Sequence, residues 1–86
     1  MKVKFHKSFT KDYRGLDGKI KKAFRGRLEL FFKNQYNVKL SNHPLRGRWH
    51  GYRSINITGD FRAVYKAQDD DTAIFIACGT HSKLYR

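Results

Sequence analysis

Residues 43–62 read HPLRGRWHGYRSINITGDFR, and this stretch decides how the chain folds. Residues 52–57 alternate with period two, which is typical of a half-buried strand with Ile55 and Ile57 facing the core. The residues left on the opposite face are Tyr52, Ser54 and Asn56. The Thr-Gly-Asp sequence at 58–60 predicts a hairpin turn, because glycine supplies the positive φ that tight turns need. The chain is therefore predicted to return as a second, antiparallel strand.

The first part of the stretch is predicted to be a basic loop. Pro44 forces His43 toward extended geometry, while Gly47 and Gly51 let the backbone turn between the arginines. The whole stretch holds the only Pro, the only Trp, two of the four His and four Arg. Titratable groups, aromatic surface and special backbone geometry coincide here, which indicates a functional site.

Upstream of this stretch the sequence predicts one strand and two helices. Residues 2–6 alternate as a short strand, and Ser8 is the predicted cap of a first helix that ends at Gly15. Asp17 is the predicted cap of a longer amphipathic helix that stops near residues 34–37. Its inward positions are Ile20, Ala23, Phe24, Leu28, Leu30, Phe31 and Gln35.

Downstream, residues 69–71 predict a polar turn, residues 72–78 a buried strand, and residues 79–86 a polar tail that includes an aromatic side chain. Three successive strands joined by tight turns predict an antiparallel meander. The order β-α-α-β-β-β then gives a small α+β two-layer domain over residues 1–86, with an antiparallel sheet and both N-terminal helices on one face. The other face is expected to stay open between the basic loop and the tail, where a substrate would bind.

The charge balance predicts an anionic partner. Nineteen Lys and Arg against seven Asp and Glu give a net charge of +12 on 86 residues. Aromatic residues interleaved with the basic ones favour nucleic acid over an anionic lipid surface. No run approaches the roughly 18 apolar residues of a spanning helix and no signal peptide is visible, so we expect a cytoplasmic protein. A lone Cys78 predicts neither a disulfide nor a metal site, and no cofactor is expected.

Four segments of the sequence resemble the RelE/YafQ group of bacterial type II toxins. They are KFHKSFTKDYRGL near the start, HPLRGRWHGYRS, the GDFRAVY hairpin and the ending GTHSKLYR. The resemblance implies a RelE/ParE-like fold and the activity of a ribosome-dependent mRNA endonuclease (mRNA interferase). It also implies three partners: mRNA, the 70S ribosome and an acidic antitoxin, which binds the toxin monomer and covers its basic open face.

The resemblance also points to individual residues. The YafQ-like pattern of histidines, an Asp-aromatic pair and a late His followed by an aromatic is matched by His43, Asp60, Phe61, His81 and Tyr85. It is not matched at Asn56, which stands where that group has a second His. Arg62 corresponds instead to an arginine of RelE-like members. The chain therefore combines features of the two patterns.

Metal-free RNA cleavage by such a site needs a base for the ribose 2′-OH, cations for the phosphorane and an acid for the leaving oxygen. We expect His43 and His81 to be the proton-transfer groups, and the sequence leaves open which is the acid and which the base. Asp60 would orient a neighbouring group or accept a hydrogen bond. Arg53 and Arg62 would stabilise the phosphate. Tyr85, Phe61 and Trp49 would stack on bases. The remaining predicted RNA contacts are Arg46, Arg48, Asn56, Lys21, Lys22 and Arg25.

Each of these residues also has a purely structural interpretation. His43 would pack its ring in a loop, Asp60 would serve only the turn, and Trp49 would seal the edge of the core. Two other functions remain open at this stage. One is a ParE-type toxin that inhibits DNA gyrase without nuclease chemistry, and the other is a non-catalytic RNA- or ribosome-binding module.

Overall fold

A computed structural model describes residues 1–85, so Arg86 of the predicted tail lies outside the described residues. The strands are β1 (Lys2–Phe5), β2 (His43–Pro44), β3 (Arg53–Thr58), β4 (Phe61–Asp69) and β5 (Thr72–Thr80). The helices are α1 (Lys7–Arg14), α2 (Gly18–Lys33) and α3 (His81–Leu84), and Val38–Leu40 and Gly47–Trp49 form single 3₁₀ turns. The predicted α+β class is confirmed, and the predicted order β-α-α-β-β-β is found with the short strand β2 and the turn α3 in addition.

The five strands form one sheet in the order β1-β5-β4-β3-β2. Strands β3, β4 and β5 are the predicted antiparallel meander, and Gly59 turns the first hairpin with a φ of +51°. The prediction of a wholly antiparallel sheet was wrong in one respect, because β1 pairs with β5 in parallel. Parallel strands cannot be joined by a tight turn. Here the chain leaves β1 at one edge of the sheet, passes through α1 and α2, and enters the sheet again at β2 on the opposite edge.

Helices α1 and α2 cover one face of the sheet over a largely aromatic core. Phe9, Phe24 and Phe75 pack with their ring centroids 5.3–5.8 Å apart, a distance typical of favourable aromatic pairs. Ile55 and Ile57 are buried in the same cluster, as the alternation predicted. Asp17 caps α2 as predicted, because its Oδ1 accepts the Ile20 N–H at 3.0 Å.

The cap of α1 differs from the prediction. His6, not Ser8, is the capping residue, and its Nδ1 accepts the Ser8 N–H at 3.1 Å. The Ser8 hydroxyl donates instead to the carbonyl oxygen of Ile76 at 2.6 Å. Ser8 is therefore engaged by β5 and unavailable to the helix end.

Helix α1 also covers the part of β5 that extends beyond β1. The pairing of β1 ends at Phe75, and beyond it the Asp12 Oδ2 accepts the Cys78 N–H at 3.3 Å. Burial raises the pKa of the Cys78 thiol to about 12, and the Asp12 carboxylate adds to the shift. Asp12 Oδ1 also lies 3.8 Å from Lys83 Nζ, which links α1 to α3.

The face opposite the helices is less open than predicted. Ser54 and Val64 pair across β3 and β4 and are fully buried although they point away from the main core. The C-terminal tail does not merely flank this face, because α3 lies against β5 at Gly79. There a Cβ would come within 3.1 Å of the Lys83 side chain. In the described part of the chain, no helix is long and apolar enough to span a membrane.

Candidate active site

A row of paired residues crosses the sheet on the face away from α1 and α2. Asn56 of β3 lies opposite Arg62 of β4, and Arg62 lies opposite Gly79 of β5. The guanidinium Nη1 of Arg62 donates to Asn56 Oδ1 at 2.6 Å. Since a guanidinium can only donate, this bond fixes the amide orientation and leaves the Asn56 NH₂ group as a donor. The row thus presents N–H donors of one cation and one neutral amide.

His43 enters this face from the neighbouring strand. The predicted loop contains the short strand β2, whose pairing places His43 opposite Ser54 and on the same face as Asn56. The Nδ1 of His43 lies 2.8 Å from the carbonyl oxygen of Ser41. A carbonyl oxygen can only accept, so Nδ1 is the donor of this bond, and Nε2 is the ring nitrogen that it leaves for other partners.

The backbone at Ser41 makes this contact possible. Ser41 has a φ of +46° and is the only residue other than glycine in the described chain with a positive φ. It ends the 3₁₀ turn Val38–Leu40 in the left-handed region, which directs its carbonyl toward the ring two residues later. Non-glycine residues rarely adopt this conformation and are found in it disproportionately at functional sites.

A small depression brings these groups together. It has a volume of about 160 Å³ and is lined by Ser41, His43, Asn56, Gly59 and Arg62. One imidazole acceptor, one guanidinium and one amide therefore face a common space at the end of the β3–β4 hairpin. This combination is suited to an anionic, hydroxyl-bearing ligand such as a phosphodiester with a neighbouring ribose.

His81 and Tyr85 stand at the edge of the same hairpin. The tail forms the single helical turn α3, and the His81 and Tyr85 rings lie 4.6 Å apart at an interplanar angle of 65°. The His81 N–H donates to the backbone carbonyl of Asp60 at 3.1 Å. The contact that Asp60 makes is therefore through its backbone, and its side chain is exposed.

Two predicted site residues lie on the other face. Arg53 alternates with Ser54 toward the helices, where its Nε donates to Asn42 Oδ1 at 2.8 Å and its guanidinium lies 5.4 Å from the Tyr36 ring centroid. Phe61 packs against the main core. The alternation that placed Ile55 inward already assigned Arg53 to that side. The structure does not bring either residue to the depression.

The basic turn between β2 and β3 contacts the tail. The Trp49 indole N–H donates to the carbonyl oxygen of Leu84 at 2.8 Å, and Arg48 Nη2 donates to the same oxygen at 3.3 Å. Arg46 is exposed at the start of this turn. The backbone carbonyls of Ser41 and Leu84 accept hydrogen bonds from His43 and Trp49. These contacts were not predicted, because no pattern of side chains in the sequence identifies a backbone acceptor.

The helix residues predicted to bind RNA lie apart from the depression. Lys22 and Arg25 are exposed on α2, which covers the opposite face of the sheet, and Lys21 Nζ lies 5.6 Å from the Tyr13 ring centroid. Among residues 1–85, no group of three or more His, Cys, Asp or Glu side chains is arranged to hold a metal ion.

Solved structures of small bacterial and archaeal toxins share this fold over nearly the whole chain. YafQ from E. coli strain BL21(DE3) superposes with a TM-score of 0.77 at 24% identity, covering 98% of this chain and 97% of that one. A copper-bound mutant toxin from Helicobacter pylori gives a TM-score of 0.72 at 27% identity over 99% of both chains. The RelB-RelE antitoxin-toxin complex from Methanococcus jannaschii gives 0.68 at 25% identity, covering 96% and 95%. The fold is that of the toxin component of toxin-antitoxin pairs.

The family follows from the sequence. The chain belongs to the YafQ family, because the family model described as "Bacterial toxin of type II toxin-antitoxin system, YafQ" matches residues 1–86. It is also similar to the mRNA interferase toxin YafQ of Escherichia coli strain K12, with 39% identity over 44 residues. These are 51% of this chain and 47% of that protein, so the match spans about half the length of this curated relative. The resemblance inferred from the sequence motifs is confirmed.

Proposed function

We propose that this YafQ-family toxin is a metal-independent endoribonuclease that cuts mRNA on the translating ribosome. The observation that carries the proposal is the depression lined by His43, Arg62 and Asn56, where the Nδ1 of His43 contacts the Ser41 carbonyl oxygen and Arg62 donates to Asn56. The name of the E. coli relative, an mRNA interferase, supports the same activity.

The tautomer also suggests the order of proton transfer. Nε2 of neutral His43 would take the proton of a ribose 2′-OH as the 2′-oxygen attacks the adjacent phosphorus. Arg62 would stabilise the charge on the phosphorane, since a guanidinium pairs with two phosphate oxygens. His81 would protonate the leaving 5′-oxygen. The phosphorus–oxygen bond to that oxygen then breaks, giving a 2′,3′-cyclic phosphate and a 5′-hydroxyl.

The remaining site residues would hold the RNA. The Asn56 NH₂ group is a donor for a phosphate or hydroxyl oxygen, and the Tyr85 ring beside His81 is a surface for a base or ribose. The Asp60 side chain is exposed beside the turn that carries His81, where it would help to orient the RNA.

We further propose that an acidic antitoxin binds this toxin and blocks the depression. The E. coli DinJ-YafQ complex and the M. jannaschii RelB-RelE complex contain chains with this fold, at 25% identity to this one. A net charge of +12 makes an acidic partner electrostatically complementary, so the affinity should fall with salt.

The deciding experiment is primer extension on an mRNA translated in a purified system. Wild-type protein should give cuts within codons only when ribosomes translate, and His43→Ala or His81→Ala should each cut about 10²- to 10⁴-fold more slowly. As a matched control, His50→Ala removes an exposed histidine that lies outside the depression and should cut normally. Arrest of DNA gyrase without RNA cuts would favour the ParE-type alternative, and ribosome binding without cuts would favour a non-catalytic module.

A further inference from the structure

We propose that Trp49 is a positioning residue, whose indole N–H holds the turn α3 so that His81 stays directed at the RNA. The inference rests on the proposed RNA cleavage. It gives Trp49 a different role from the base stacking predicted from the sequence. The N–H group matters in this role, whereas stacking needs only the ring.

The turn α3 is too short to be stable alone. It has four residues, while isolated helices shorter than about 12–15 residues are marginal in water. Its last carbonyl groups also have no partners within the helix. The Leu84 carbonyl meets this need by accepting from Trp49 Nε1 at 2.8 Å and Arg48 Nη2 at 3.3 Å.

The other end of α3 is tied to the hairpin. The His81 N–H donates to the Asp60 carbonyl at 3.1 Å, and the Thr80 hydroxyl accepts the Lys83 N–H at 3.3 Å. The turn is therefore held at its first residue by the β3–β4 hairpin and at its last by Trp49. His81 is the first residue of this turn, so the bond from Trp49 to Leu84 would act on its orientation through the turn itself.

The Trp49 ring is itself held in place. It lies edge-on to Tyr52, with centroids 5.4 Å apart at 81°, and the Arg48 guanidinium lies 5.9 Å from its centroid. The side chain is only partly exposed. The single N–H donor of the indole is bonded to the end of α3, and the ring contacts Tyr52 and Arg48. These contacts suit a residue that holds α3 in place better than one that stacks on a base.

The test is Trp49→Phe, which keeps an aromatic ring and removes the N–H. We expect single-turnover cleavage of ribosome-bound mRNA to slow by about 10- to 100-fold, because displacement of a reacting group by about 1 Å costs that order. Ribosome affinity should stay unchanged. Tyr36→Phe, which also removes one polar hydrogen from an exposed aromatic, is the matched control and should be neutral.

A double-mutant cycle identifies the residue through which Trp49 acts. In a His81→Ala background, Trp49→Phe should cause no further loss, since the group that it positions is gone. Rates are expressed per folded molecule, so any loss of stability cancels. Multiplicative losses, a wild-type rate for Trp49→Phe, or a fall in affinity that accounts for the loss would overturn the proposal.

Hydrogen exchange provides a readout independent of cleavage. The Tyr85 N–H bonds to the His81 carbonyl at 3.0 Å and closes the turn. Trp49→Phe should speed exchange of this amide at least tenfold relative to amides in the middle of β4. Unchanged exchange would refute the anchor. If wild-type protein cut no RNA, the proposed function would fail, while this measurement would still decide whether Trp49 holds α3.

Discussion

The contact between Asn56 and Arg62 shows how a single amide sets the geometry of a cation. The two residues pair across β3 and β4 next to the hairpin turn, and a 2.6 Å hydrogen bond joins the Arg62 guanidinium to the Asn56 amide oxygen. The resemblance described above implies that Asn56 stands where the YafQ-like pattern has a histidine. Its role here would be to orient Arg62 and to donate its remaining N–H, and proton transfer would be left to His43 and His81.

Substituting Asn56→Leu should therefore slow cleavage without unfolding the protein. A hydrogen bond to a charged group contributes about 1.5–3 kcal/mol, so we expect a roughly tenfold or greater loss of rate. The measurement is single-turnover cleavage beside thermal unfolding. Gln68→Leu, which removes an exposed amide from the same hairpin, is the control. Equal rates for both variants would mean that Arg62 does not depend on Asn56.

At the residue scale, the roles that the motifs suggest for His43, Arg62 and His81 stay predictions. The structure places His43 and Arg62 on one depression and bonds His81 to the nearby hairpin turn. It did not predict the left-handed φ of Ser41, because this conformation depends on how the 3₁₀ turn ends and not on a glycine. Arg53 shows the converse, since period two placed it on the core side while the motif suggested a site residue.

At the scale of elements, local patterns predicted local structure and failed where partners are distant in sequence. The alternation at residues 52–57 and the turn at Gly59 correctly predicted the β3–β4 hairpin, and Asp17 correctly predicted the start of α2. The parallel pairing of β1 with β5 has no local signature. The same holds for the bond from Trp49 to Leu84, which joins two segments that neither helical nor strand periodicity connects.

The edge where α1 covers β5 yields a prediction about Cys78. The thiol is fully buried, and its pKa in the folded state is raised to about 12. In the unfolded chain the thiol pKa is about 8.5, so the folded state retains the proton to much higher pH. The free energy of unfolding should therefore fall as pH rises through this interval, and should be insensitive to the thiol below it.

The measurement is the reaction of Cys78 with a thiol reagent at pH 8. We expect modification only at the rate at which the protein unfolds, and rapid modification in denaturant. Asp12→Asn removes the carboxylate charge that helps to raise the pKa while keeping a side-chain oxygen as an acceptor. Fast labelling of the native wild-type protein would contradict the packing of α1 on β5.

At the scale of the whole molecule, basic residues lie on both faces of the sheet. The depression with Arg62 is on one face, and Lys22 and Arg25 are exposed on the helix that covers the other. Under the proposed function, one face would engage the RNA that is cut while the other would contact a second anionic surface. This separation makes affinity and chemistry independently accessible to mutation.

Replacing Lys21, Lys22 and Arg25 together by Gln should weaken ribosome association and leave cleavage by the bound protein intact. Each lost phosphate contact removes one released counterion, so the slope of log affinity against log salt should fall by about two to three. Binding measured over a salt series, beside single-turnover cleavage at saturating ribosomes, checks both parts. An unchanged slope would show that these three side chains form only a solvated helix face.

The pairing of β1 with β5 has a consequence for biosynthesis. Residues 2–5 find their sheet partner only in residues 72–75, so the first strand has no neighbour until translation has passed that point. At about 5–20 residues per second, the nascent chain spends several seconds without its completed sheet. His81 and the turn that carries it are made later still. The proposed site therefore cannot assemble until almost the whole chain has been synthesised, and the proposed antitoxin would have that interval in which to meet it.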